Sequence, residues 1–194
     1  MKITAKIIRR GAVVLTLAAA VLAAAYQASY PIKLNMLTLP KQIAAFDGRF
    51  DDAGNLPEVT VYGGAGLGNR EYYLIEIGGE LGSVTLKRSL TGRYRIECLR
   101  YGTGGLRDAI VESGGKKYLL LGGRDAAARI ARIAVSIGGL SYDLENDGPG
   151  DHFLLCTEID RRVEDNHINR DGVRFYSAEG EDITELYDLR GGGI

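Results

Sequence analysis

From Val59 onward the chain is divided into short runs of β-branched and aromatic residues, and glycine pairs separate several of them. The runs are Val59–Tyr62, Glu71–Ile77, Ser83–Arg88, Arg93–Tyr101, Ala109–Glu112, Lys116–Leu121, Ile133–Ile137, Leu140–Leu144, His152–Ile159 and Val173–Ser177. Each has the length and composition of a strand, and none leaves room for a long helix. Several alternate: Tyr94, Ile96 and Cys98 are expected on one face, and Arg95 and Glu97 on the other, as in a strand with one wet side. Ser113-Gly114-Gly115 and Gly138-Gly139 stand between paired runs, where glycine supplies the positive φ that tight hairpins require. About ten strands joined this way predict an all-β domain, an antiparallel β-sandwich or open barrel. Arg124 to Ala134 has helix-like alanine spacing, but Ile133, Val135 and Ile137 alternate, so it is expected to turn and then enter a strand.

A different pattern precedes this region. Gly11 to Ala25 is fifteen residues without a charge, and Tyr26 to Tyr30 extend it with two tyrosines suited to a membrane interface before Pro31 stops the helix. Lys2, Lys6, Arg9 and Arg10 precede it, and no acidic residue occurs before Asp47. The positive-inside rule then leaves the N-terminus in the cytoplasm and sends the rest of the chain across the membrane. Residues 1–10 therefore read as a basic cytoplasmic end and 11–30 as a signal anchor in the lipid bilayer. A cut near Ala23-Ala24-Ala25 would instead make this segment a signal peptide and the protein secreted. The first cysteine is Cys98, so no lipid attachment site lies near this segment. Residues 31–58 read as a stalk in which Thr38 and Pro40 open a short helix through Ala45, and Asp47-Gly48 and Asp51-Asp52 break the chain beyond that helix. Residues 59–194 read as one extracytoplasmic β domain.

Setting aside the four N-terminal basic residues leaves 20 basic against 25 acidic, near −5. That balance argues against nucleic acid, or an anionic membrane surface, as the domain's main partner.

Motifs that could carry chemistry break at the position that matters. Gly63-Gly64-Ala65-Gly66-Leu67-Gly68-Asn69-Arg70 lacks the third glycine of a dinucleotide loop and the Lys-Ser/Thr of a P-loop, so it reads as a glycine-rich hairpin or linker. Asp165 to Gly172 spaces its oxygens like the start of a calcium loop but has Arg170 where the sharp turn needs glycine. Cys98 and Cys156 are the only cysteines, and the compartment permits a disulfide; two separate buried thiols are the alternative. Two histidines, His152 and His167, and no G-x-S-x-G elbow leave no triad to assemble. No catalytic, cofactor-binding or metal-ligating residue is therefore assigned, and no cofactor is implied.

Lys117-Tyr118-Leu119-Leu120-Leu121-Gly122-Gly123, then Ile130 to Val135, Asp151-His152-Phe153-Leu154, Glu158-Ile159-Asp160 and Val173-Arg174-Phe175-Tyr176 form a loose pattern over about a third of the chain. In it the chain resembles uncharacterised membrane-anchored or exported β-rich envelope proteins of Gram-positive bacteria. The resemblance implies location and fold and brings no functional residues with it.

The expectation is a non-enzymatic, membrane-tethered module that contacts an envelope or secreted protein, through the loops Gly63 to Arg70, Glu145 to Asp151 or Asp160 to Asp171. An envelope-polymer hydrolase or transferase would instead gather Glu158, Asp160, Asp147 or His152 in a cleft. A weak metal- or ligand-binding domain would converge the oxygens of Asp165 to Asp171 on one point.

Overall fold

The computed structural model describes residues 2–49, 54–125, 129–148 and 150–187, with side chains from Val13 onward. The chain is mostly β, in three antiparallel sheets. Helix α1 spans Lys2–Ala28 and α2 spans Leu39–Asp47. Ten strands come after them: β1 (Val59–Leu67), β2 (Arg70–Ile77), β3 (Glu80–Arg88), β4 (Tyr94–Gly102), β5 (Leu106–Ser113), β6 (Lys116–Arg124), β7 (Arg132–Ile137), β8 (Leu140–Glu145), β9 (His152–Ile159) and β10 (Val173–Tyr176). Every expected run is a strand. Three hairpins close on the glycine pairs Gly78-Gly79, Gly114-Gly115 and Gly138-Gly139, all at φ between 56° and 84°, values that a side chain would disfavour at both positions.

Helix α1 begins at Lys2 and not at Gly11, and its side chains Val13, Val14, Leu15, Leu17, Val21 and Leu22 are exposed. Among the described residues no helix is long and apolar enough to cross a membrane. Pro40 stands in the first turn of α2, and Gly48, at φ 69°, ends it by donating its N–H to the Ala44 carbonyl. Asp51-Asp52 and Ala126–Ala128 lie outside the described residues; past the latter, Ile130 and Ala131 lead directly into β7.

Sheet A has the order β1-β2-β3-β4, sheet B β5-β6-β9 and sheet C β10-β7-β8. Alternation sets which faces meet. Tyr73, Ile75 and Ile77 of β2, with Val84 and Leu86 of β3, bury against Leu39 and Ile43 of α2. Leu119 and Leu121 of β6 and Phe153 of β9 bury against Ile133, Val135, Val173 and Phe175 of sheet C. The remaining face of sheet B meets sheet A: a Cβ at Gly122 would lie 2.8 Å from Leu74 Cδ1, and one at Gly63 would lie 3.8 Å from Leu154 Cβ. Thus β9 approaches β1 and β6 approaches β2, and β6 is buried on both sides.

Gly82, in β3, faces a tight wall of main chain. A Cβ there would lie 2.6 Å from the Arg100 carbonyl oxygen and 2.7 Å from Tyr101 Cβ. The carbonyl belongs to the adjacent strand and cannot rotate aside. Gly82→Ala is expected to destabilise by about 1–3 kcal/mol, read as a lower urea midpoint at unchanged slope; Gly79→Ala, which meets nothing, separates this clash from turn strain.

Candidate functional site

Sheet A has four strands and sheet B has three, so one strand of sheet A has no opposite number. Strand β5 reaches sheet A at its two ends. At one, Arg107 Nη2 donates to the carbonyls of Leu81 (2.9 Å) and Gly102 (2.7 Å). At the other, Ser113 Oγ lies against Gly68, 2.6 Å from where a Cβ would stand. Between these points the sheets part around a cleft of ≈ 390 Å³. Its floor is the face of sheet A, with Arg70 and Tyr72 from β2, Ser83 and Thr85 from β3, and Cys98 and Arg100 from β4.

The wall of the cleft is unusual: five consecutive residues of β5, Asp108 to Glu112, line it. Side chains of a strand alternate between faces, so consecutive lining residues mean that the cleft meets the strand's edge. Among the described residues that edge is open, because β5 pairs with β6 alone. The two-residue turn Gly114-Gly115 closes on Ser113 and Lys116, which therefore exchange both ladder hydrogen bonds. Counting back, Glu112, Ile110 and Asp108 aim their N–H and C=O groups away from β6.

A bulge decides what the floor presents. Thr85 pairs with Cys98 and Leu86 with Ile96, leaving Glu97 as the extra residue. Tyr94 and Ile96 stay on the buried face with Leu99 and Tyr101, while Cys98 moves to the opposite face beside Arg100. The expectation that Cys98 shares a face with Tyr94 and Ile96 is thus overturned. Glu97 receives a forked pair of hydrogen bonds from Arg70, whose Nη2 lies 3.2 Å from Oε1, and Lys87 Nζ lies 3.6 Å away. The Arg70 guanidinium holds the Glu97 carboxyl below the usual range. A group lowered in the folded state contributes stability above its unfolded value and loses it as pH falls through the folded one. The Arg70–Glu97 coupling, expected at about 0.5–1 kcal/mol for a half-exposed pair, should therefore be present in a double-mutant cycle at pH 7. It should be absent in the same cycle near pH 2, whereas a residual coupling there would mean packing and not charge.

At the far end of the wall, Asp108 is pinned by the Ile168 N–H (3.0 Å), Arg170 Nη2 (3.0 Å) and the His167 ring (3.1 Å). Glu97 and Asp108, the groups most suited to acid or base work, are both occupied by internal cations. Among the described residues, what the cleft leaves unoccupied is the outward main chain of β5 and the Arg100 guanidinium.

The residues named from sequence for an enzymatic cleft do not converge. Glu158 pairs with Lys116 at 2.6 Å, and Asp160 with Arg162 at 2.7 Å, which holds the Asp160 carboxyl at about 2. His152 packs elsewhere, its ring stacked at 3.5 Å on Tyr62, with Asp151 2.8 Å from Nδ1 and Glu76 3.6 Å from Nε2. Tyr62 reaches it because it is the extra residue of a second bulge, between Val61 and Gly63.

The loops offered as partner surfaces also differ from expectation. Gly63 to Leu67 belong to β1, with only Gly68-Asn69 in the turn. Asp160 to Asp171 is a loop, but Val163 and Ile168 carry it into the core beside sheet C. Among the described residues no three His, Cys, Asp or Glu side chains are grouped to hold a metal. Cys98 and Cys156 are both free; Cys98 is half-buried and Cys156 exposed, so neither the disulfide nor the pair of buried thiols is found. No protein-family model matches the chain, and neither does any curated protein or solved structure.

Proposed function

We propose that this chain is a non-enzymatic, membrane-tethered module outside the cytoplasm, and that its β-sandwich binds a segment of an envelope or secreted protein by strand addition at β5. The observation that carries the reading is the open edge of β5 standing over the uncovered face of β4. A fourth strand laid there would complete sheet B opposite the fourth strand of sheet A. Strand addition draws affinity from main-chain hydrogen bonds and selectivity from alternate side chains. Here the floor supplies Arg100, Thr85 and Tyr72 for the latter. The sandwich reading is supported by sheet B burying one face on sheet A and the other on sheet C.

Tethering is supported by the charge-free stretch from Gly11 to Ala25 behind four basic residues, and by the exposed apolar side chains around α1. The resemblance to anchored β-rich envelope proteins points to the same place.

Glu112→Pro tests strand addition. Its N–H faces the cleft, so proline removes an edge donor and no bond to β6. With a photo-cross-linker at position 100, the otherwise wild-type chain in cells should give one dominant adduct, and Glu112→Pro should reduce it at least tenfold with the thermal midpoint held. An adduct of equal yield in the proline variant would place recognition elsewhere.

A further inference from the structure

Helix α1 is fixed to one end of sheet A. The Tyr26 hydroxyl accepts from the Leu90 N–H at 3.3 Å, Arg93 donates to the carbonyls of Tyr30 (2.9 Å) and Pro31 (2.7 Å), and Ile32 exchanges main-chain hydrogen bonds with Tyr94. The turn between β3 and β4 therefore sits at the point where α1 leaves the domain. Its crest is Leu90, 96% exposed, held up by a tight turn in which Gly92 N–H donates to the Ser89 carbonyl.

A second leucine crest stands at the same end. Leu37, 88% exposed, tops the turn from Asn35 to Thr38. Helix α2 then runs along β4 from that end toward the other, where the Tyr101 hydroxyl donates to Asp47 at 2.5 Å. Turn crests favour glycine, asparagine, aspartate and serine, and neither leucine contributes to a core.

Unpaired positive charge collects at this end. Lys33, Lys41 and Arg88 are exposed near the crests, and Arg93 and Arg95 flank Tyr30, with the Arg95 guanidinium 5.1 Å from the ring centroid. Among the described residues none of these five pairs with a carboxylate. At the opposite end, around the turn from β2 to β3, charges of both signs stand together: Glu58, Glu76 and Glu80 with Arg124, which pairs with Glu76 at 3.3 Å, and Arg107, which donates to the Leu81 carbonyl.

We infer that this end of the domain is a bilayer-docking surface: Leu37 and Leu90 enter the headgroup boundary beside the emerging α1, and Lys33, Lys41 and Arg88 bind anionic lipid phosphates. The inference rests on the tethered reading above, since the surface is continuous with the segment taken to be the anchor. A bilayer, and not a second protein, is chosen because the apolar crests and unpaired cations surround the end of α1, and the exposed Tyr26 lies at its boundary, where an interfacial tyrosine belongs. Docking would hold the domain upright with the turn from β2 to β3 outermost, where a tether alone would let it swing.

The chain contains no tryptophan, so a single introduced one reports alone. Full-length chains carrying Leu90→Trp, Leu37→Trp or, as the distal control, Glu80→Trp would be reconstituted into phosphatidylcholine–phosphatidylglycerol vesicles, with and without bromine on the upper acyl carbons. At least twofold quenching is expected at positions 90 and 37 and essentially none at 80. Removing phosphatidylglycerol, or combining Lys33→Glu with Arg88→Glu, should at least halve the quenching. Inserted protein with unquenched reporters overturns the docking surface and leaves the tether standing. Emission that shifts blue with protein density, independent of bromine, assigns the surface to a second copy and overturns it likewise. Protein that does not insert removes both readings.

Discussion

Asp125→Ala should cost about 3–5 kcal/mol of folding stability. Asp125 is 1% exposed, and its carboxylate gathers three donors. Oδ1 accepts from the Arg129 N–H at 3.0 Å and the Tyr187 hydroxyl at 2.6 Å; Oδ2 accepts from the Ile130 N–H at 3.0 Å. The two amides belong to the segment that carries Ile130 into the core beside sheet C, and Tyr187 packs edge-on against Phe175 at 5.0 Å. One carboxyl thus ties the segment entering β7 to the last described turn of the chain. Burial and that carboxyl together raise Tyr187 well above the usual tyrosine range. Each donor stranded without water costs about 1–3 kcal/mol, and partial hydration of Arg129 and Tyr187 brings the sum down to that range. Asn in place of Asp125 retains one acceptor and should cost less than Ala, and Tyr187→Phe about 1 kcal/mol. The Asp125→Ala/Tyr187→Phe double variant should fall short of the sum, because the shared bond is lost once. Urea unfolding followed by near-ultraviolet circular dichroism reads all four; a loss below about 1 kcal/mol for Asp125→Ala would show that water replaces the carboxyl.

Period-two alternation and glycine pairs were enough to place every strand, since both are local signals and antiparallel hairpins are local structures. What alternation does not encode is where it breaks. The bulges at Tyr62 and Glu97 each insert one residue, and everything beyond them changes face. That is why alternation assigns Cys98 to the core while the folded chain holds it in the cleft. Gly63 reads as a turn residue because glycine signals turns, yet here it sits mid-strand where β1 passes close to Leu154. The cleft itself is a mismatch in strand number between two sheets, which no single segment records.

Charge shows the same loss on averaging. A domain near −5 argues against an anionic surface, but the balance is a sum over the whole domain, and Lys33, Lys41 and Arg88 meet at one end only after α2 and β3 are placed. The loop from Asp160 to Asp171 has the polar composition of a free surface, and two apolar residues in it, Val163 and Ile168, suffice to pin it.

The proposed tether carries the largest expected effect. Leu17→Arg with Val21→Arg should move the protein from the membrane fraction into the alkaline-carbonate supernatant, with the folded domain unchanged. An arginine near the centre of a spanning helix costs about 2.5–3.5 kcal/mol on the insertion scale, so two cost about 5–7 kcal/mol, more than about a thousandfold in partition. Both side chains are exposed on α1, so their replacement should not lower the urea midpoint of the β domain. That invariance separates release from misfolding, which would leave aggregated protein in the pellet. Signal-peptide cleavage makes a different prediction for the unsubstituted chain: a product shortened by about 25 residues, found in the medium, with an N-terminus just past Ala25. Full-length protein in the pellet whose domain is digested by protease added to intact cells would establish the anchor and its orientation together. Full-length unsubstituted protein already in the supernatant would remove the anchor, and with it the reason for Leu37 and Leu90 to stand bare at the end of α1.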